Sequence, residues 1–307
     1  MSPETCAARS PAKVNLSLRV LGRRSDGYHE VETVFQAIDL WDSIEARESK
    51  RLALGCNLPA VPVGSSNLVL QAAAALRTRC DHEVGADLFL RKTIPMGGGL
   101  GGGSSDAAAT LLLLREFWSI AISDAELTEL AAGLGSDVPF FLTGGTAIGS
   151  GRGERIEPVP FLGSARILLG LPPFGISTAE VYERFTRRLT PPEDGVRVSG
   201  FRTLKLPGGK DFCPGTNDLE AVVLEGWPEL AAPLTILREE GADYSLVSGS
   251  GSSVFGVFDE LSDLPRAAAI LRAKLPTWRW VATRAIEGRA HLSPPAGEAP
   301  RLGREGG

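Results

Sequence analysis

Apolar and polar residues alternate without a break along Ala12-Lys13-Val14-Asn15-Leu16-Ser17-Leu18-Arg19-Val20. A period of two marks a strand with one face on a core, here Ala12, Val14, Leu16, Leu18 and Val20. It leaves Lys13, Asn15, Ser17 and Arg19 on the other face. Gly22-Arg23-Arg24-Ser25-Asp26-Gly27 reads as a turn, and 31–38 and 43–48 as strands split by Asp39-Leu40-Trp41-Asp42. The chain thus opens as a β-meander. Residues 52–64 carry several prolines and read as loop. The period then lengthens. Ser66-Asn67 predicts a helix cap, with Leu68, Val69, Ala72, Ala73 and Leu76 on one stripe and an end near Cys80. Residues 86–92 alternate again as a strand.

That strand delivers the chain to Pro95-Met96-Gly97-Gly98-Gly99-Leu100-Gly101-Gly102-Gly103-Ser104-Ser105-Asp106. Glycine lets the backbone take positive φ and come close to a ligand with no Cβ in the way. Ser104, Ser105 and Asp106 are N-cap types, and 107–114 is strongly helix-forming. A glycine loop entering a helix N-terminus gathers free N–H groups and the positive end of the helix dipole at one spot, which suits a phosphate. A flexible linker would not run into a capped apolar helix. The lysine of a Walker loop is missing before Ser104, and the loop lies too deep in the chain for a dinucleotide fingerprint.

Further along, Ser123-Asp124-Ala125-Glu126 predicts a capping box and a helix closed by Gly133 and Gly135. Strands at 145–148 and 155–159 flank the turn Gly149-Ser150-Gly151-Arg152-Gly153. Residues 160–164 are the best boundary, giving 1–163 as a nucleotide-binding and catalytic domain and 164–286 as a substrate-binding domain. In the second part, strands are expected at 165–171, 243–247, 254–258 and 278–285, and helices at 177–188, 217–225, 228–240 and 263–274. Ser248-Gly249-Ser250-Gly251-Ser252-Ser253 forms a second glycine loop between two strands. Residues 189–215 read as irregular, and 287–307, with little to bury, as a disordered tail. The mixture predicts the α+β class.

Composition narrows this picture only a little. The 307 residues are 43% hydrophobic with a net charge of −5, enough for real cores and unsuited to a nucleic-acid scaffold. Cys6, Cys56, Cys80 and Cys213 are scattered without a CxxC pair, so the thiols read as structural or incidental. No apolar leader or membrane-length run is present, so a cytoplasmic protein is expected.

Phosphoryl transfer needs positive charge on the transferred group, a base or orienter for the nucleophile and a cradle for the nucleotide. Lys13 can supply the first. Asp137, in Gly135-Ser136-Asp137-Val138-Pro139-Phe140-Phe141, is an acid among apolar residues and a candidate base kept ionised by Lys13. Taken alone, Lys13 is more often a solvated strand residue and Asp137 more often a helix-end turn acid. Trp278 and Trp280 read as strand core, and His82 and His291 as surface residues.

Together, Pro11 to Leu16, the segment Arg23-Arg24-Ser25-Asp26-Gly27-Tyr28-His29-Glu30, the two glycine loops, the Asp137 segment, Gly149 to Glu154 and Thr216-Asn217-Asp218-Leu219-Glu220 resemble the GHMP kinases. The resemblance runs in order from residue 11 to about 258. The segment around Tyr28-His29 is similar to the branch that phosphorylates a cytidylated methylerythritol on the non-mevalonate route to isoprenoids. This resemblance implies a two-domain fold, with an N-terminal ATP-binding domain, a ferredoxin-like C-terminal domain and an active site in the cleft between them. It implies Lys13 and Asp137 as the catalytic pair on the 2-hydroxyl, residues 95–105 on the ATP phosphates, and Asn67 to Val69 near the adenine. Tyr28 and His29 would read the cytosine end, with Tyr182 closing on the base. Asn15 would orient substrate, and Gly249, Ser250 and Gly251 would close over its phosphates. ATP with magnesium is implied as cofactor, no metal ligand is assigned, and a monomer or homodimer is expected. A GHMP kinase for homoserine or mevalonate, and a non-catalytic nucleotide-binding regulator, stand as alternatives.

Overall fold

The computed structural model describes residues 5–80, 83–160, 163, 165–188, 204–205, 211–212, 214–289 and 291–293. The expectations for His82, Cys213 and most of 189–210 fall outside these. Two long strands dominate the first half: β1 (Thr5–Arg23) and β2 (His29–Glu48) pair antiparallel along their whole length. The break expected at Asp39 to Asp42 is instead a bulge. Pro11 pairs Trp41 and Ala12 pairs Ile38, so residues 39 and 40 are extra and the ladder continues. The bulge is where β2 exchanges its second partner, from β5 (Thr146–Gly151) to β4 (Ala86–Arg91).

Leu52–Cys56, expected as loop, is strand β3, paired parallel with β4. Backbone pairing at the sheet edge overrides the proline-rich composition that follows it. Helix α1 (Leu68–Arg77) starts as expected: the Asn67 side chain accepts from the Val69 N–H, a cap worth about 1 kcal/mol. Helix α2 (Gly102–Phe117) starts earlier than its N-cap types suggested, because Gly101, at φ +68°, is the N-cap. Ser123 and Glu126 form the expected capping box of α3 (Asp124–Leu134). A short helix that the sequence did not announce, α4 (Val138–Thr143), follows directly, with Asp137 as its N-cap. β5 and β6 (Arg155–Val159) make a hairpin.

The second sheet runs in the order β11 (Tyr244–Val247), β12 (Val254–Phe258), β7 (Arg166–Leu171), β13 (Arg279–Arg284), all antiparallel. Helices α5 (Thr178–Arg188), α6 (Glu220–Gly226), α7 (Ala231–Glu239) and α8 (Leu264–Lys274) complete a ferredoxin-like unit. Strands β8 (Leu204–Lys205) and β9 (Asp211–Phe212) form a separate hairpin. Two segments return to the first sheet: β10 (Thr216–Asn217) lies parallel to β1, and β14 (His291–Ser293) pairs antiparallel with it. The expected tail therefore begins as ordered chain: Gly288 O accepts from Gly145 N–H, and Ile286 N–H donates to Ala37 O. His291 is exposed, as expected, but sits edge-on to Trp41.

Three cores order the layers. One lies between α1–α4 and the first sheet, one between the two sheets, and one between the second sheet and its helices. Ala12, Val14 and Leu16 face the second sheet, together with Ile167, Leu169 and Phe255. The opposite face of β1, expected to be solvated, is covered as well: Lys13, Asn15 and Ser17 are only 3–6% exposed. Polar groups buried in this way must be satisfied by partners, and Lys13 and Asn15 are. Trp278 and Trp280 are core residues, stacked at 5.7 Å. No helix among the described residues is long and apolar enough to cross a membrane.

Candidate active site

The buried polar face of β1 is the floor of the site. A lysine ammonium has three N–H donors. Those of Lys13 meet Asn15 Oδ1 at 2.7 Å, Gly99 O at 3.0 Å and Asp137 Oδ2 at 3.3 Å. Asn15 uses its other end on Thr33 Oγ1, 2.8 Å away, and Thr33 donates to Ser17 O. The Asn15 amide thus helps to aim Lys13, and Asn15 also lines the cavity that opens above it. Lys13 lies over the Phe35 ring at 5.4 Å, and Phe35 packs on Phe140 of α4. Strand β1 and helix α4 therefore bring together two groups more than a hundred residues apart.

A cavity of about 430 Å³ opens above this pair, lined by Lys13, Asn15, Asp137, Asn67, Gly249, Ser250 and the run from Pro95 through Ser104. The first turn of α2 is part of the lining, and a helix's first N–H groups have no intrahelical acceptor. A Cβ at Gly103 would meet nothing nearer than Leu68 at 3.8 Å, so that position faces open space. Elsewhere the glycines serve packing. A Cβ on Gly99 would fall 2.0 Å from Ser248 O, and one on Gly101 would meet Phe141 at 2.7 Å and Lys13 Cε at 3.1 Å. The two glycine loops are knitted by backbone: Ser252 N–H donates to Gly97 O, Ser253 N–H to Gly98 O, and Ser248 Oγ to Gly99 O.

Three expected contacts lie elsewhere. Val69 is buried in the core beneath α1. Ser105 is fully buried, its Oγ without a hydrogen-bond partner among the described residues. Gly251 turns toward Val247 and Ile176.

A second cavity, of about 650 Å³, adjoins the first and shares Val31, Asp137, Arg152, Thr178 and Tyr182 with it. Tyr28 and His29 line it. Tyr28 is 55% exposed, with the Arg152 guanidinium 5.0 Å from its ring centre. Tyr182 stacks on His29 at 5.0 Å. Burial, and secondarily the Asp137 charge, push the Tyr182 phenol above its ordinary range. Burial and then the Arg23 charge hold His29 below its ordinary value, so its ring is neutral near pH 7.

Sequence reasoning assigned no role to Arg152, which lines both cavities, or to Thr178, whose hydroxyl meets Ser250 Oγ at 2.8 Å. It also missed the charged cluster beneath the first glycine loop. There Lys92 Nζ donates to Asp42 and to Asp106, the latter at 2.8 Å, and Ser10 Oγ donates to Asp106 at 2.8 Å. Asp42 also accepts from the N–H groups of Thr93 and Ile94. A signal for it existed: Ala86, Leu88 and Leu90 point inward, and Lys92 falls on the same phase.

The sequence matches the GHMP kinases N terminal domain over residues 67–145 and the GHMP kinases C terminal over 213–277. It is 45% identical to the 4-diphosphocytidyl-2-C-methyl-D-erythritol kinase of Pelotomaculum thermopropionicum, across 86% of this chain and 93% of that one. The chain belongs to this family of GHMP kinases. The kinase is also 41% identical to the Bacillus cytotoxicus protein of the same name, over 84% of this chain and 90% of the relative. A crystal structure of 4-(cytidine 5'-diphospho)-2C-methyl-D-erythritol kinase superposes with a TM-score of 0.72 at 34% identity, covering 91% of this chain and 98% of the other. A homoserine kinase from Cytophaga hutchinsonii superposes at 0.69 with 15% identity, over 95% and 98% of the two chains, a likeness of fold alone. Membership makes this chain an ATP-dependent small-molecule kinase.

Proposed function

We propose that this kinase transfers the γ-phosphoryl group of ATP to the 2-hydroxyl of 4-diphosphocytidyl-2-C-methyl-D-erythritol, on the non-mevalonate route to isoprenoid precursors. The observation that carries the reading is the Lys13–Asp137 pair, 3.3 Å apart, with Asp137 shared by two adjoining cavities. One cavity is walled by glycine-rich backbone and suits the polyphosphate; the other is lined by Tyr28, His29 and Tyr182 and suits a base.

Asp137 takes the proton of the substrate hydroxyl as its oxygen bonds to the γ-phosphorus, and ADP leaves with the bridging oxygen. Lys13, aimed by Asn15 and Gly99 O, offsets the charge on the transferred group and keeps Asp137 ionised. The backbone of residues 95–104 holds the phosphates, and Asn67 and Leu68 border the adenine side. Tyr28 stacks on the cytosine and His29 pairs with its edge. Magnesium belongs to this chemistry. Such an ion would be held by the nucleotide phosphates together with one or two carboxylates, and Asp137 lines the first cavity.

The test is a substrate panel. ATP turnover is expected with the cytidylated alcohol and none with homoserine or mevalonate. Turnover of either of those alone would replace the substrate, and no turnover with any would favour a nucleotide-binding regulator.

A further inference from the structure

Helix α5 holds His29 in a defined hydrogen-bonding state. The imidazole sits between Tyr182, stacked at 5.0 Å, and Phe185, edge-on at 6.3 Å. Its Nε2 lies 2.9 Å from Thr186 Oγ1. The same hydroxyl donates to Tyr182 O at 2.8 Å. A threonine hydroxyl has one proton, and a carbonyl oxygen can only accept. With that proton on Tyr182 O, Thr186 offers His29 a lone pair, and Nε2 must be the donor. A neutral imidazole carries one N–H, and burial together with Arg23 keeps this ring neutral. Nδ1 is then left with a lone pair, and no hydrogen bond to it is made among the described residues. His29 lines the second cavity, the one proposed above to take the base. Cytosine carries an amino donor at position 4; uracil carries an acceptor oxygen there.

We propose that Thr186 is a positioning residue that sets base selectivity: it fixes His29 as the Nε2–H tautomer, so that Nδ1 accepts from the cytosine amino group and rejects uracil. This rests on the cytidylated substrate proposed above. A relay through Thr186 is compatible with the helix, since a threonine hydroxyl bonded to the carbonyl four residues back is a common helical arrangement.

The experiment compares kcat/KM for the cytidine and uridine forms of the substrate on the full chain. Wild type is expected to prefer the cytidine form. Thr186→Val keeps the shape and removes the relay, and should lose at least about tenfold of that preference, the worth of one hydrogen bond to a substrate edge. KM for ATP should not follow, and Thr186→Ser should restore the ratio, which a merely structural role would not do. If Thr186→Val keeps the wild-type ratio, the tautomer assignment falls while the substrate reading stands. Equal use of both forms by wild type would overturn both, and preference for the uridine form would mean that Thr186 donates to Nε2 instead. Nitrogen-15 spectra give a readout independent of turnover and of any variant at Thr186. The chain has three histidines, so His29 is assigned by comparison with His82→Gln and His291→Gln. An Nε2–H ring in wild type supports the proposal; an Nδ1–H ring overturns it.

Discussion

The nucleotide-side cavity is walled largely by main chain, whereas the cavity beside it is walled by side chains. In the first, residues 95–104 present glycine backbone, and most of the specificity of that wall comes from what a Cβ would strike: Ser248 O at Gly99, Phe141 and Lys13 at Gly101. In the second, Tyr28, His29, Arg152 and Tyr182 form the wall, and each packs on another side chain. A backbone wall can take any nucleotide with a polyphosphate. A side-chain wall can distinguish one base from another, because its donors and acceptors are individually placed. Asp137, paired with Lys13, stands where the two meet.

The sharpest way to break the comparison is to remove that junction. Asp137→Asn should lower kcat by about 10²–10⁴, the range for a lost general base, with ATP and substrate affinities nearly kept. Lys13→Met should act similarly on kcat. Retention of most of the turnover by Asp137→Asn would make the acid structural and sink the base assignment.

Next in size are the glycines, which separate packing from cradle. Gly99→Ala places a methyl 2.0 Å from Ser248 O at a φ of +71°, so the two loops must part. Overpacking of this kind costs about 1–3 kcal/mol, and a lower Tm should accompany weaker ATP binding. Gly103→Ala meets only Leu68 at 3.8 Å and lies in the first turn of α2. It should weaken ATP binding with Tm unchanged or raised, since alanine favours a helix by about 1 kcal/mol over glycine. Calorimetric ATP affinity equal to wild type in Gly103→Ala would remove the phosphate from that wall.

On the side-chain wall, Tyr28→Ala should raise KM for the cytidylated substrate by the worth of one stacked base, about 1–3 kcal/mol, and leave KM for ATP in place. His29→Ala should do so more strongly and use the uridine form relatively better. Equal shifts in both KM values would mean that the two walls are not separate sites.

The same contrast explains what could be read in advance. The glycine loop was legible because glycine is itself the signal, and α1 and α3 because Asn67, Ser123 and Glu126 are caps whose chemistry is local. The bond from Lys13 to Asn15 could not be read in advance, because a strand's polar face says nothing of what covers it; here the glycine loop and α4 do. The β2 bulge, the parallel pairing of β3 and the return of β14 depend on partners distant in sequence. Thr186 had no signal at all, since its partner His29 lies 157 residues away.

The smallest expected effect concerns the charged cluster under the nucleotide cavity. Lys92 lies between Asp42 and Asp106, so one cation serves two buried carboxylates. Burial, opposed by Lys92 and reinforced by Asp42, pushes the Asp106 carboxyl up to about 7. The folded chain then keeps a proton on Asp106 at pH values where the unfolded chain, near 3.8, has released it. The stabilisation is fully present below that unfolded value and is lost as pH rises through about 7. Asp106→Asn keeps an acceptor for Ser10 or Lys92 and leaves Lys92 paired one-to-one with Asp42. Wild type should therefore lose Tm relative to the variant between pH 4 and pH 8. Glu220, also raised by burial, tilts both curves equally and drops out of the difference. With about 2 °C of Tm per kcal/mol in a chain of this length, the expected divergence is a few degrees. Parallel melting curves across that range would mean that Asp106 stays ionised beside Lys92, and that a full negative charge sits under the glycine loop.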